Sequence, residues 1–227
     1  MLHTMNIIPL DTSEKFVRTA VSWITGTILK AQHGGRTATI GLCGGSTPKP
    51  VYTLLSTERD IDWSRVVLFL LDERYVPVTH PENNLRMIKG TVLTRSAVVA
   101  EMIAPDTSLP LTECIVDYDQ KIAKLSHIDL VIIGMGDDGH IASLFPPVGP
   151  EAYGPTKVIH TTTDAFAVHD RISVTFPVLL HASSRLFLIT GKKKSALLGK
   201  MQKENEDVSM YPAQYLFDDR TTWMVGP

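Results

Sequence analysis

The chain has 227 residues, a formal charge of -2, 44% apolar residues and 20% charged ones. That length and balance fit a globular protein with a substantial core, give no basic footprint for nucleic acid, and leave no apolar stretch long enough for a membrane span. The two cysteines, Cys43 and Cys114, make neither a disulfide framework nor a paired-cysteine metal motif, and a reducing compartment suits them.

Residues 12–32 carry apolar positions at Phe16, Val17, Ala20, Val21, Ile24, Ile28 and Leu29, a 3.6-residue period that predicts an amphipathic helix. Asp11, with Glu14 three positions on, reads as its capping start. Glu14, Lys15 and Arg18 interrupt the first apolar pattern, so no signal peptide is expected and a cytoplasmic location is. Residues 38–42 read as a strand and 48–55 as a helix with Pro48 in its first turn. The apolar run 66–71 predicts a buried strand, and 85–93 and 112–125 predict helices. Residues 130–133, Leu-Val-Ile-Ile, have the length and β-branching of a strand buried on both faces. Further strands are expected at 158–162 and 186–190, and a helix at 195–201. Strands alternating with helices predict an α/β fold: a mostly parallel sheet with helices on both faces, in three layers. The Pro- and Gly-rich segment 146–155 reads as a loop rather than a linker, so residues 1–227 are expected to form a single domain.

Three junctions carry chemistry. After the strand 130–133 comes Gly134-Met135-Gly136-Asp137-Asp138-Gly139-His140. The glycines let the backbone turn sharply and approach a ligand, and the acids and histidine sit where open α/β sheets place their sites. Taken alone, the segment also fits a solvated turn. Between the strand 38–42 and the next helix lies Cys43-Gly44-Gly45-Ser46-Thr47-Pro48. Its free N–H groups, hydroxyls and helix N-terminus suit a phosphate monoester, with Thr47 able to cap the helix. It matches neither the nucleotide P-loop nor the dinucleotide fingerprint, and a plain turn with a helix cap fits it equally well. Asp72-Glu73-Arg74 follows the strand 66–71 directly, as a salt-bridged strand end or as charges at the same sheet edge. Arg171, before the alternating run Ile172-Ser173-Val174-Thr175, and Lys194, at a helix start, are candidate anion ligands; a surface arginine and a solvated lysine run (Lys192 to Lys194) are the alternatives.

Six segments together resemble one family: GGSTP from Gly44, LDERYVP from Leu71, HPENNLRM from His80, GMGDDGHIASLFP from Gly134, RISVTFP from Arg171, and Gly191 to Lys194. In that order they are similar to the 6-phosphogluconolactonases, within the superfamily that includes glucosamine-6-phosphate deaminases and ribose-5-phosphate isomerases. The resemblance implies the NagB/RpiA/CoA-transferase-like fold and hydrolysis of 6-phospho-D-glucono-1,5-lactone to 6-phospho-D-gluconate in the oxidative pentose phosphate pathway. It implies catalytic roles for His140, Asp138 and Arg74. Substrate or phosphate binding falls on Gly44, Gly45, Ser46, Thr47, Asp72, Asn84, Gly136, Arg171 and Lys194. It implies no metal and no organic cofactor. Asn83 departs from the family, which often has serine there.

The implied chemistry is ester hydrolysis. His140 takes a proton from water as it attacks the lactone carbonyl, and Asp138 orients the imidazole. Glycine-loop N–H groups or Arg74 stabilise the oxyanion, and the remote phosphate holds the carbonyl in place. An amino-sugar-phosphate deaminase or isomerase is the first rival, but its Asn-Glu-Pro element is replaced here by Ala142-Ser143-Leu144-Phe145-Pro146. A non-enzymatic sugar-phosphate sensor is the second, and the chain has little room for the DNA-binding segment that it needs. No nucleic-acid or membrane partner is expected, and the protein is expected to be a monomer.

Overall fold

Long apolar runs with no alternation are what a parallel sheet covered on both faces requires. In the computed structural model, which describes residues 5–93, 99–203 and 205–227, one sheet, with runs of this kind at its centre, holds seven strands. They are β1 (Asn6–Pro9), β2 (Ala38–Leu42), β3 (Val66–Leu70), β5 (Glu101–Ile103), β6 (Leu130–Gly134), β9 (Arg185–Thr190) and β10 (Thr221–Gly226). Their order is β1-β10-β9-β6-β2-β3-β5, and every neighbouring pair is parallel. All five residues of β2 are buried, as are Leu130 to Ile133 of β6. The helices α1 (Ser13–His33), α2 (Pro48–Leu55), α3 (Asn84–Lys89), α4 (Leu111–Ala123), α5 (Phe176–His181) and α6 (Lys192–Met201) make up the connections. Among the described residues, no helix is long and apolar enough to cross a membrane.

The order of the strands fixes where a site belongs. From β2 the chain moves outward through β3 to β5, and from β6 it moves the opposite way through β9 to β10. The direction reverses between β2 and β6, so their carboxyl ends diverge and open a crevice.

Residues 158–162, expected among the parallel strands, lie elsewhere. They form β7 (Val158–Thr162) in a second, antiparallel sheet of order β4-β8-β7, with β4 (Asp72–Arg74) and β8 (Asp170–Val174). The connection 163–169 is too short for a parallel crossover, which needs about a dozen residues or more, so the chain turns back on itself. The cap of α1 moves by one residue: the Thr12 hydroxyl accepts from the Lys15 N–H at 3.2 Å, and Asp11 instead pairs with the Lys15 ammonium at 2.9 Å. Helix α3 stops at Lys89, because Gly90 follows and its N–H donates to the Arg86 carbonyl at 3.0 Å. Helix α6 begins at Lys192, three residues before the expected start, so all three lysines lie in its first turn.

Candidate active site

The crevice at the switch point is a cleft of about 460 Å³. It brings together every residue to which the resemblance assigns a catalytic or binding role: Gly44, Gly45, Ser46 and Thr47 after β2; Asp72 and Arg74 on β4; Asn84 on α3; Gly136, Asp138 and His140 after β6; Arg171 on β8; and Lys194 on α6.

The loop after β6 is built to hold one hydrogen bond. Gly136 N–H donates to the His140 carbonyl at 2.8 Å, and Gly139, at φ +90°, closes the turn with its N–H on the Gly136 carbonyl at 3.1 Å. The turn sets His140 Nδ1 at 2.6 Å from Asp138 Oδ1. A Cβ on Gly136 would overlap both the imidazole Nδ1 and that carboxylate oxygen. Burial raises the Asp138 carboxyl pKa, but the hydrogen bond and charge of His140 outweigh it, so the group lies below its ordinary value and stays an ionised acceptor. An ionised acceptor at Nδ1 puts the ring proton there and leaves the Nε2 lone pair to take another. Phe145 and Phe166 flank the imidazole, with ring centroids 4.8 and 5.5 Å away.

The opposite wall is cationic. Antiparallel pairing of β4 with β8 sets Arg74 directly across from Arg171, an arrangement of like charges that is unfavourable by itself. Arg171 is only 4% exposed, and among the described residues no carboxylate lies within ion-pair distance of it. Its Nε donates to the Val168 carbonyl at 2.9 Å, and its guanidinium carbon lies 5.7 and 5.5 Å from the Phe145 and Phe166 ring centroids. Burial, and then the Arg74 charge, lower the Arg171 pKa. Arg74 donates through Nη1 to the Glu82 carbonyl at 2.7 Å and to Asn84 Oδ1 at 3.0 Å, while its buried Nε has no partner among the described residues. Lys194 adds a third cation from α6. Two guanidiniums and an ammonium facing one cleft suit a multiply charged anion.

The floor is polar and rigid. Gly45, at φ +98°, turns the β2–α2 loop, and Gly44 has no room for a Cβ because Asn84 Oδ1 occupies that space. The expected Thr47 cap does not form: Thr47 already has helical backbone angles, and its hydroxyl pairs with Thr190 at 3.0 Å. Asp72 accepts from the Ser143 hydroxyl at 2.7 Å and from Asn84 Nδ2 at 3.4 Å. Glu73, 1% exposed, accepts the backbone N–H groups of Arg74, Asn84 and Leu85 at 2.7–2.8 Å. It thereby ties β4 to the start of α3. Burial pushes its carboxyl up to about 7, against the pull of those three N–H groups. Cys43 also lines the cleft, but burial pushes its thiol up to about 12, so it is no thiolate nucleophile. Among the described residues, no three histidine, cysteine or acidic side chains converge as a metal-binding group.

Several contributors were not singled out from the sequence. Ser143 and Phe145 sit within the GMGDDGHIASLFP segment, yet neither stands out by residue type. Phe166 had one signal, a lone aromatic inside the polar stretch 161–170.

A sequence model of the family described as "Glucosamine-6-phosphate isomerases/6-phosphogluconolactonase" matches residues 11–224. A Dictyostelium discoideum protein named "Probable 6-phosphogluconolactonase" is 35% identical, over 96% of this chain and 95% of its own length. The Thermotoga maritima 6-phosphogluconolactonase is 34% identical over 82% of each chain. A crystal structure of 6-phosphogluconolactonase from Thermotoga maritima superposes with a TM-score of 0.87 at 30% identity, covering 99% of this chain and all of that one. A 6-phosphogluconolactonase from Shewanella baltica reaches 0.91 at 24% identity, covering both chains entirely, and shows the same fold. With a match along nearly its whole length and relatives above 30% identity, the chain belongs to the family of glucosamine-6-phosphate isomerases and 6-phosphogluconolactonases.

Proposed function

We propose that this chain hydrolyses 6-phospho-D-glucono-1,5-lactone to 6-phospho-D-gluconate, with His140 as the general base. The observation that carries the proposal is the hydrogen-bonded pair His140–Asp138 facing three cations across one cleft. Water is a weak nucleophile at neutral pH. As its oxygen bonds to the lactone carbonyl carbon, Nε2 of His140 takes its proton, and Asp138 stabilises the imidazolium. The carbonyl oxygen becomes an oxyanion. Backbone N–H groups of the glycine loops, or the Arg74 guanidinium, stabilise that charge. Collapse breaks the bond from the carbonyl carbon to the ring oxygen, and the imidazolium returns its proton to that oxygen. Arg171, Lys194 and the Gly45–Thr47 loop hold the phosphate, and that remote grip keeps the carbonyl beside His140.

Under this proposal the chain works as a single domain over residues 1–227, as a monomer in the cytoplasm, with no metal or organic cofactor. One continuous buried apolar cluster supports the first point, and the buried free thiols of Cys43 and Cys114 suit a reducing compartment. The test is to generate the lactone enzymatically and follow its loss with and without the protein, subtracting spontaneous hydrolysis. Acceleration that survives a chelator and disappears with His140→Ala is expected. No acceleration, or turnover of glucosamine 6-phosphate in its place, would overturn the proposal.

A further inference from the structure

We infer that Phe166 is a positioning residue that couples the phosphate-gripping arginine to the general base, an inference that rests on the lactonase reading above. Phe166 sits on the 163–169 loop between β7 and β8 and is 46% exposed. Its ring takes no part in the buried apolar cluster of the fold. Its ring and cation contacts are instead with the working groups of the cleft: the His140 imidazole edge-on at 5.5 Å, the Arg171 guanidinium at 5.5 Å, and the Phe145 ring at 6.0 Å. A large aromatic held half in water, against a base and a cation rather than the core, is placed for what it does to those two groups.

The loop fixes the ring relative to both. Thr163 N–H donates to the His169 carbonyl at 3.1 Å, and Ala165 N–H to the Thr163 hydroxyl at 3.2 Å. The Val168 carbonyl holds Arg171 Nε at 2.9 Å. One short segment therefore anchors the guanidinium and presents the ring that covers it. An aromatic face beside a guanidinium, and a ring edge beside an imidazole, are attractive and directional. They limit rotation of both groups and take one side of each out of water. Both residues line the cleft. Phe145 backs the same pair from the β6 loop, but it belongs to the base's own segment, so only Phe166 comes from the strand pair that carries Arg171.

The two contacts predict a split between kinetic constants. With Phe166→Ala the base loses a wall whichever substrate is bound, so kcat is expected to fall by roughly tenfold for both the phosphorylated lactone and unphosphorylated gluconolactone. The arginine loses its ring too, so KM is expected to rise by roughly fivefold, but only for the phosphorylated lactone. Phe166→Tyr keeps the ring face and should restore both constants. Phe166→Leu keeps apolar bulk without a π face, and should restore kcat more fully than KM. The thermal unfolding midpoint of all three should stay near that of the unmutated protein, because no core cavity opens.

If the unmutated protein accelerates hydrolysis of neither lactone, the lactonase reading fails and this inference falls with it. If it does accelerate hydrolysis and Phe166→Ala matches it on both substrates, the inference alone fails. The inference is equally overturned if Phe166→Ala shifts both constants alike on the two lactones, or if Phe166→Tyr restores neither.

Discussion

Asp138 and His140 are separated by one glycine, and that spacing is what allows a tight turn to make a hydrogen-bonded acid–base pair out of adjacent sequence. Replacing His140 with alanine should lower kcat by roughly 10²–10⁴, the range for a lost general base, with KM little changed because the imidazole acts in the transition state. Asp138→Asn should cost less, since it removes orientation and charge but leaves the base. Steady-state kinetics on a folded His140→Ala protein that gave near-normal kcat would refute the assignment. Arg171→Ala should raise KM for the phosphorylated lactone and scarcely alter hydrolysis of gluconolactone; equal damage to both would place Arg171 in the fold or the chemistry instead. The roles tested by these variants are those that the resemblance implies, and the placement of these residues in the cleft was legible because glycine-spaced acids and histidine have no use inside a core. The neighbours that tune them were not: whether the Phe166 ring meets solvent or an imidazole depends on a strand pairing that local sequence does not encode.

Helix α6 shows the cost of placing charge where a site needs it. Its first turn holds Lys192, Lys193 and Lys194, at the end where the helix dipole disfavours cations, and no side chain caps it. Among these lysines only Lys194 reaches the cleft. Lys194→Ala should therefore raise KM for the phosphorylated lactone while leaving stability unchanged or higher by about 0.3–1 kcal/mol. Lys192→Ala should match it in stability and leave KM alone. Denaturant titration beside kinetics separates the two effects, and a KM change shared by both variants would remove Lys194 from the site. The residues alone left open which lysine mattered, and the resemblance pointed to Lys194; the choice turns on where the helix starts, and element ends are set by capping contacts as much as by periodicity. The short strands β4 and β8 were harder still. Asp72 to Arg74 reads as charges at the end of the strand 66–71, and becomes a strand of a second sheet only because Ile172 and its neighbours lie alongside it.

At the scale of the whole molecule, the strands β2, β3, β6 and β9 of the parallel sheet were legible from their uninterrupted apolar runs, whereas β1, β5 and β10 were not, and the position of the cleft follows from the strand order. The second sheet was not legible, since its three strands are 3–5 residues long and come from distant parts of the chain. Glu73 ties β4 of the second sheet to the start of α3, and it makes the stability of the fold depend on pH. Its carboxyl is raised by burial from 4.5 to about 7 in the folded protein. Below about pH 4.5 the group is protonated in both states and carries no penalty. As pH rises from there to about 7, the unfolded chain ionises first and binds fewer protons, so stability falls; above that the loss is complete. A rise of this size corresponds to roughly 3 kcal/mol. Glu73→Gln resembles the protonated form: its carbonyl oxygen can still accept from Arg74 and Asn84, while its amide group gives up the Leu85 N–H. Relative to the unmutated protein, the glutamine variant should therefore gain about 3 kcal/mol as pH is raised from 4.5 to 7, whatever the offset at low pH. Urea unfolding at several pH values measures this directly. Parallel stability curves for the two proteins would mean that Glu73 titrates alike in the folded and unfolded chain, and that burial does not raise its carboxyl.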